Sequence, residues 1–120
     1  MIEIRVPIRL ISEANTLDHW TKKHRRKQKV KAMLDAYWPK DFDVVLPCTI
    51  ELVRVAPRKL DSGDNLQMSL KFVRDFVADK LIPNLQAGRA DDDERMTWRY
   101  SQEKGNPKEY GLIIRFHSST

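Results

Sequence analysis

Ile2, Ile4, Val6, Ile8 and Leu10 occupy every second position of the amino terminus, with charged residues between several of them. This period sends all five side chains to one side of an extended chain, so a strand with one buried face is predicted over residues 2–10. The same alternation returns near the carboxyl terminus, in Met96, Trp98 and Tyr100 and again in Tyr110, Leu112, Ile114 and Phe116. These are read as a third and a fourth strand, joined by a turn containing Gly105, Asn106 and Pro107. The β-branched run CTIELVRV, residues 48–55, supplies the second, after an irregular connection over residues 41–47.

Two helices fit between the strands. Ser12 to Asn15 offers capping oxygens to a first helix, whose Leu17, Trp20, Val30, Met33, Leu34 and Tyr37 share one face and which stops before Pro39. Leu66, Leu70, Val73, Val77 and Leu81 recur at three- and four-residue steps, giving a second helix capped by Asp64 and closed by Pro83. The expected fold is α/β (α+β): one domain over residues 1–120, a mixed four-stranded sheet packed with two helices, in the order β-α-β-α-β-β. At 120 residues and 14.1 kDa the chain can bury one core of its own, but not two.

With 32% charged residues and a mean hydropathy of -0.59, this is the composition of a soluble globular protein. No segment has the apolar length of a membrane span, and the amino terminus lacks the unbroken apolar stretch of a signal peptide. The lone Cys48 cannot form an internal disulfide, and a cytoplasmic location is expected. One cysteine and three scattered histidines give none of the zinc spacings.

Net charge is +5, unevenly distributed. Residues 22–31 hold seven lysines and arginines and no acid, while residues 61–94 hold eight of the 17 acids. On the first helix Lys22, Arg25, Arg26 and Lys29 fall at i, i+3, i+4 and i+7, a solvent-facing basic stripe suited to DNA phosphates. A solvated helix face explains such a stripe about as well.

Asp61 and Asp64 stand in the loop that opens the second helix, and Asp91, Asp92 and Asp93 in the loop that enters the third strand. If the helix brings these loops together, their carboxylates repel one another until a cation neutralises them. Oxygen donors of this kind suit magnesium or manganese, which polarise a phosphodiester and activate water. Taken singly, Asp64 reads equally as a helix cap and the DDDE run as a solvated loop, while Lys71 and Asn65 are ordinary helix residues.

Residues 60–104 nevertheless resemble the signature half of RusA-type Holliday junction resolvases, in which an Asp-x-Asp-Asn loop opens a helix carrying a lysine and an aspartate, followed by paired aspartates and a strand. Asp64 and Asn65 match the Asp-Asn pair, Lys71 and Asp75 the helical pair, and Asp92 with Asp93 the later aspartates. The strand MTWRYSQEK is also similar to that of phage-like members. Ser62 stands where the family has its first aspartate, so Asp61 is the nearest acid, and Lys71 follows Asp64 by seven residues instead of the common four. The resemblance implies a homodimeric, magnesium-dependent endodeoxyribonuclease that resolves four-way junctions. Asp61, Asp64 and Asp93 would bind metal, Lys71 would steady the phosphate, and Asn65, Asp75 and Asp92 would support them. The alternatives are a DNA-binding protein without catalysis on the same scaffold, and a structural or protein-interaction domain.

Overall fold

The computed structural model describes residues 2–12, 20–60, 64–83 and 93–118. Their elements run β1 (Ile2–Val6), α1 (Trp20–Tyr37), β2 (Cys48–Ala56), α2 (Asp64–Ser69), α3 (Lys71–Leu81), β3 (Met96–Lys104) and β4 (Gly111–Ser118). The strands form one mixed sheet in the order β1-β4-β2-β3, in which β2 and β3 are parallel while β4 runs antiparallel to β1 and β2. The expected mixed sheet with helices in β-α-β-α-β-β order is therefore what this chain forms.

Alternation decides the two faces of the sheet. Ile4, Val6, Cys48, Ile50, Leu52, Leu112, Ile114 and Phe116 share the helix-covered face and are buried, with Leu34, Leu70, Phe72, Val73, Phe76 and Val77 of the helical layer packed over them. Removing that much apolar surface from water drives the layers together. At one end Phe42 packs against Phe116 with ring centres 4.9 Å apart, and Trp38 bridges Phe42 and Phe76. On the opposite face Arg115 lies directly between Glu3 of β1 and Glu51 of β2, bonding their carboxylates at 2.9 and 3.2 Å, with Glu103 of β3 at 3.5 Å. The Glu3 and Glu51 carboxylates hold the Arg115 pKa above its ordinary value, and the ladder ties all four strands together.

Three expectations need correction. The first strand ends at Val6, because Pro7 has no amide to continue the ladder, although Ile8 and Leu10 remain buried in the same alternation. Helix α1 buries only Val30 and Leu34: Trp20 is 68% exposed and Tyr37 is exposed as well, so the apolar face does not extend to either end, and Leu17 lies outside the described residues. The second helix is two, broken at Leu70, whose backbone (φ -106°, ψ 4°) leaves the helical region while its side chain is fully buried. The turn expected between β3 and β4 is present, and it joins strands that are not neighbours in the sheet. Residues 105–110 pass over the end of β2, where the Gly105 amide donates to the Ala56 carbonyl at 2.9 Å. A Cβ on Gly105 would lie 2.9 Å from the Glu109 backbone carbonyl oxygen, so this crossing favours glycine.

Candidate functional site

Two ends of the sheet have different chemistry, and the crossover between β2 and β3 sets which residues fall at each. Because these strands are parallel, the chain leaves β2 at its carboxyl end and must return through α2 and α3 to the amino end before entering β3. Asp64 therefore opens α2 on the carboxyl side, whereas Asp93 precedes β3 on the amino side, next to Cys48, whose amide bonds the Arg95 carbonyl. Each strand has nine residues, so the two ends are separated by roughly 26 Å at ~3.3 Å per residue. The backbones of Asp64 and Asp93 thus lie toward opposite ends of the sheet, while residues 61–63 and 84–92, the rest of the two acidic loops, lie outside the described residues.

At the carboxyl end, the residues flanking the first acidic loop are firmly tied. The Gln102 side chain of β3 bonds both backbone groups of Leu60, accepting from its amide at 2.9 Å and donating to its carbonyl at 2.7 Å. On the other flank, Ser12 donates through Oγ to Oδ1 of Asn65 at 3.2 Å. Asp61 lies outside the described residues, as do Asp91 and Asp92. Lys71 is exposed as the first residue of α3, and Asp75 stands one turn later, half-buried. The break at Leu70 means that Lys71 does not continue the helix begun by Asp64.

Arg54 is the residue whose role the sequence reading missed. It follows Cys48, Ile50 and Leu52 in the inward phase of β2 and is only 8% exposed. Its Nε donates to the Leu10 carbonyl at 3.2 Å and its Nη1 to the Arg58 carbonyl at 3.0 Å. Burial lowers its pKa; Tyr110 opposes that shift and Arg9 adds to it. A charge at an apolar position of a strand was the available signal, since buried arginines need partners. Around it opens a cavity of about 370 Å³ lined by Arg9, Arg54, Arg58, Ser12, Leu60 and Tyr110, among others.

The basic stripe approaches the same end. Lys22, Arg25 and Lys29 are exposed and Arg26 is half-buried. Arg26 and Lys29 line a second cavity, of about 490 Å³, together with Arg9 and Leu10. Arg9 thus belongs to both cavities.

Asp93 has different company at the amino end. Its Oδ1 accepts from Nε of Arg95 at 2.9 Å and from the Arg95 amide at 3.0 Å, while its Oδ2 accepts from Nη2 at 3.0 Å. The Arg95 guanidinium, helped by the backbone bond, holds the Asp93 carboxyl at about 2. That carboxylate is already satisfied as a turn cap. Among the described residues no group of three or more histidine, cysteine, aspartate or glutamate side chains is placed to hold a metal ion. No helix of the described residues is long and apolar enough to cross a membrane. No protein-family model, curated protein or solved structure matches the chain.

Proposed function

We propose that the protein is a magnesium-dependent endodeoxyribonuclease acting on branched DNA, of the RusA-like kind, and that it works as a homodimer. The observation that carries this reading is the convergence of Arg9, Arg26, Lys29, Arg54 and Arg58 with the flanks of the Asp61–Asp64 loop at one end of the sheet. The carboxyl ends of parallel strands are where ligands of open α/β sheets are received. Cations there neutralise backbone phosphates, and acids beside them can hold the ion that cutting requires.

Asp64, which opens α2 at this end, and Asp61, three residues before it, are the donors this reading uses from one chain. A metal using Asp64 and Asp93 together would have to lie between two copies, with Asp93 of one released from Arg95 to meet the acidic loop of the other. Magnesium would supply polarisation of the phosphodiester and activation of water. Lys71, exposed at the start of α3, would balance charge on the phosphate, and Asn65, held by Ser12, would keep the loop in place.

Cleavage of a synthetic four-way junction with and without magnesium tests the reading. Wild type is expected to make paired cuts only with the metal, and Asp64→Asn to bind the junction without cutting it. Binding without cutting in either magnesium or manganese would favour the second reading, a non-catalytic DNA-binding protein, for which the engagement of Asp93 by Arg95 speaks. No binding even at low salt would sink both.

A further inference from the structure

We propose that the cavity between Arg9, Arg54 and Arg58 is a dedicated phosphate-binding site, which receives one backbone phosphate of bound DNA beside the acidic loop; its assignment to DNA rests on the function proposed above. Three guanidinium groups line this one pocket, and among the described residues no carboxylate lines it. Three arginines elsewhere are neutralised by carboxylates: Arg115 by Glu3 and Glu51, Arg95 by Asp93, and Arg5 by Glu3. Arg54 is buried against two carbonyls, which accept its hydrogens without cancelling its charge. An isolated buried cation is costly to maintain, and an incoming anion removes that cost.

The geometry suits a phosphate, and its three arginines would repel a metal ion. Arg54 is pinned at both its Nε and its Nη1, so its position is set before a ligand arrives. Arg9 lies over the Tyr110 ring with 4.8 Å to its centre, which holds a second guanidinium at the wall. Arg58 is exposed and free to close over an anion from the solvent side. Guanidinium forks match the tetrahedral oxygens of phosphate with paired, charge-assisted hydrogen bonds. Leu60, also in the wall, directly precedes Asp61, so a phosphate here is adjacent to the chain that enters the acidic loop.

The test uses Arg9→Ala/Arg58→Ala, which leaves the two backbone contacts of Arg54 intact, and Arg54→Lys as a second variant that keeps charge but loses the fork. Binding of a four-way junction is measured across a salt series in EDTA, so cutting plays no part, and thermal stability is measured with inorganic phosphate. Arg9→Ala/Arg58→Ala is expected to weaken junction binding about tenfold and to flatten the salt slope by about one. Phosphate should raise the Tm of wild type but not of this variant, and Arg54→Lys should fall between them. If phosphate stabilises wild type through these arginines while the junction is not bound, the anion site stands and its assignment to DNA fails. Wild-type junction affinity, salt slope and phosphate response in Arg9→Ala/Arg58→Ala would overturn the proposal.

Discussion

Two charged residues illustrate how neighbours decide what a side chain does. Asp93 is held by three hydrogen bonds from Arg95, and its pKa falls from 3.8 to about 2. A depressed carboxylate contributes stability that is present above its unfolded pKa and lost as pH falls through its folded one, here from about 4 towards about 2. In Arg95→Ala the Asp93 pKa should rise towards 3.8 but stay below it, because the residue-95 amide still donates to Oδ1; carboxyl NMR shifts followed against pH would check this, and an unchanged low value would show that the guanidinium is not the main cause. Arg54 depends on its neighbours differently. Replacing it with alanine leaves the Leu10 and Arg58 carbonyls without their donor, at a cost of about 1–3 kcal/mol. Urea denaturation would measure that loss, and Arg54→Lys should recover part of it. From sequence, Arg54 was visible only as a charge in an apolar phase. Its acceptors lie 44 residues before it and four after, and no local pattern announces them.

Periodicity gave the strands and the helical segments because each element has one buried face, and an alternation or a three-to-four spacing records that face directly. It failed where a second constraint acted. Pro7 ends β1 although burial continues through Leu10, and Leu70 satisfies the helical spacing while its backbone breaks the helix. In α1 the apolar spacing includes Trp20, yet the first half of the helix carries too many charges to be buried, and only Val30 and Leu34 reach the core. Leu34→Ala should therefore cost about 2–5 kcal/mol, while Trp20→Ala should cost well under 1. Chemical denaturation of both variants decides between this assignment and a uniformly packed helix. The exposed half also carries the stripe. Replacing Lys22, Arg25, Arg26 and Lys29 with alanine should weaken DNA binding across sequences and flatten its salt dependence, with little change in folding. Unchanged affinity would return the stripe to the solvent.

For the whole molecule, the consequence that sequence spacing concealed is the separation of Asp64 from Asp93. Asp64 and Asp93 bracket α2 and α3, and a linear reading places them at either end of one helix, near enough to share an ion. Sheet order was needed to see otherwise: β2 and β3 are parallel neighbours, so the start of one excursion and its end lie on opposite sides of the molecule. A site that uses both acids then requires two chains, and two-fold symmetry would provide two such sites. Subunit mixing tests this directly. Asp64→Asn and Asp93→Asn are each expected to bind a four-way junction without cutting it. Co-refolded in equal amounts, they should form mixed dimers with one intact site, restoring about a quarter of the wild-type sites and producing single nicks. If confirmed mixed dimers remain inactive, or if Asp93→Asn alone cuts like wild type, the two-chain site is contradicted.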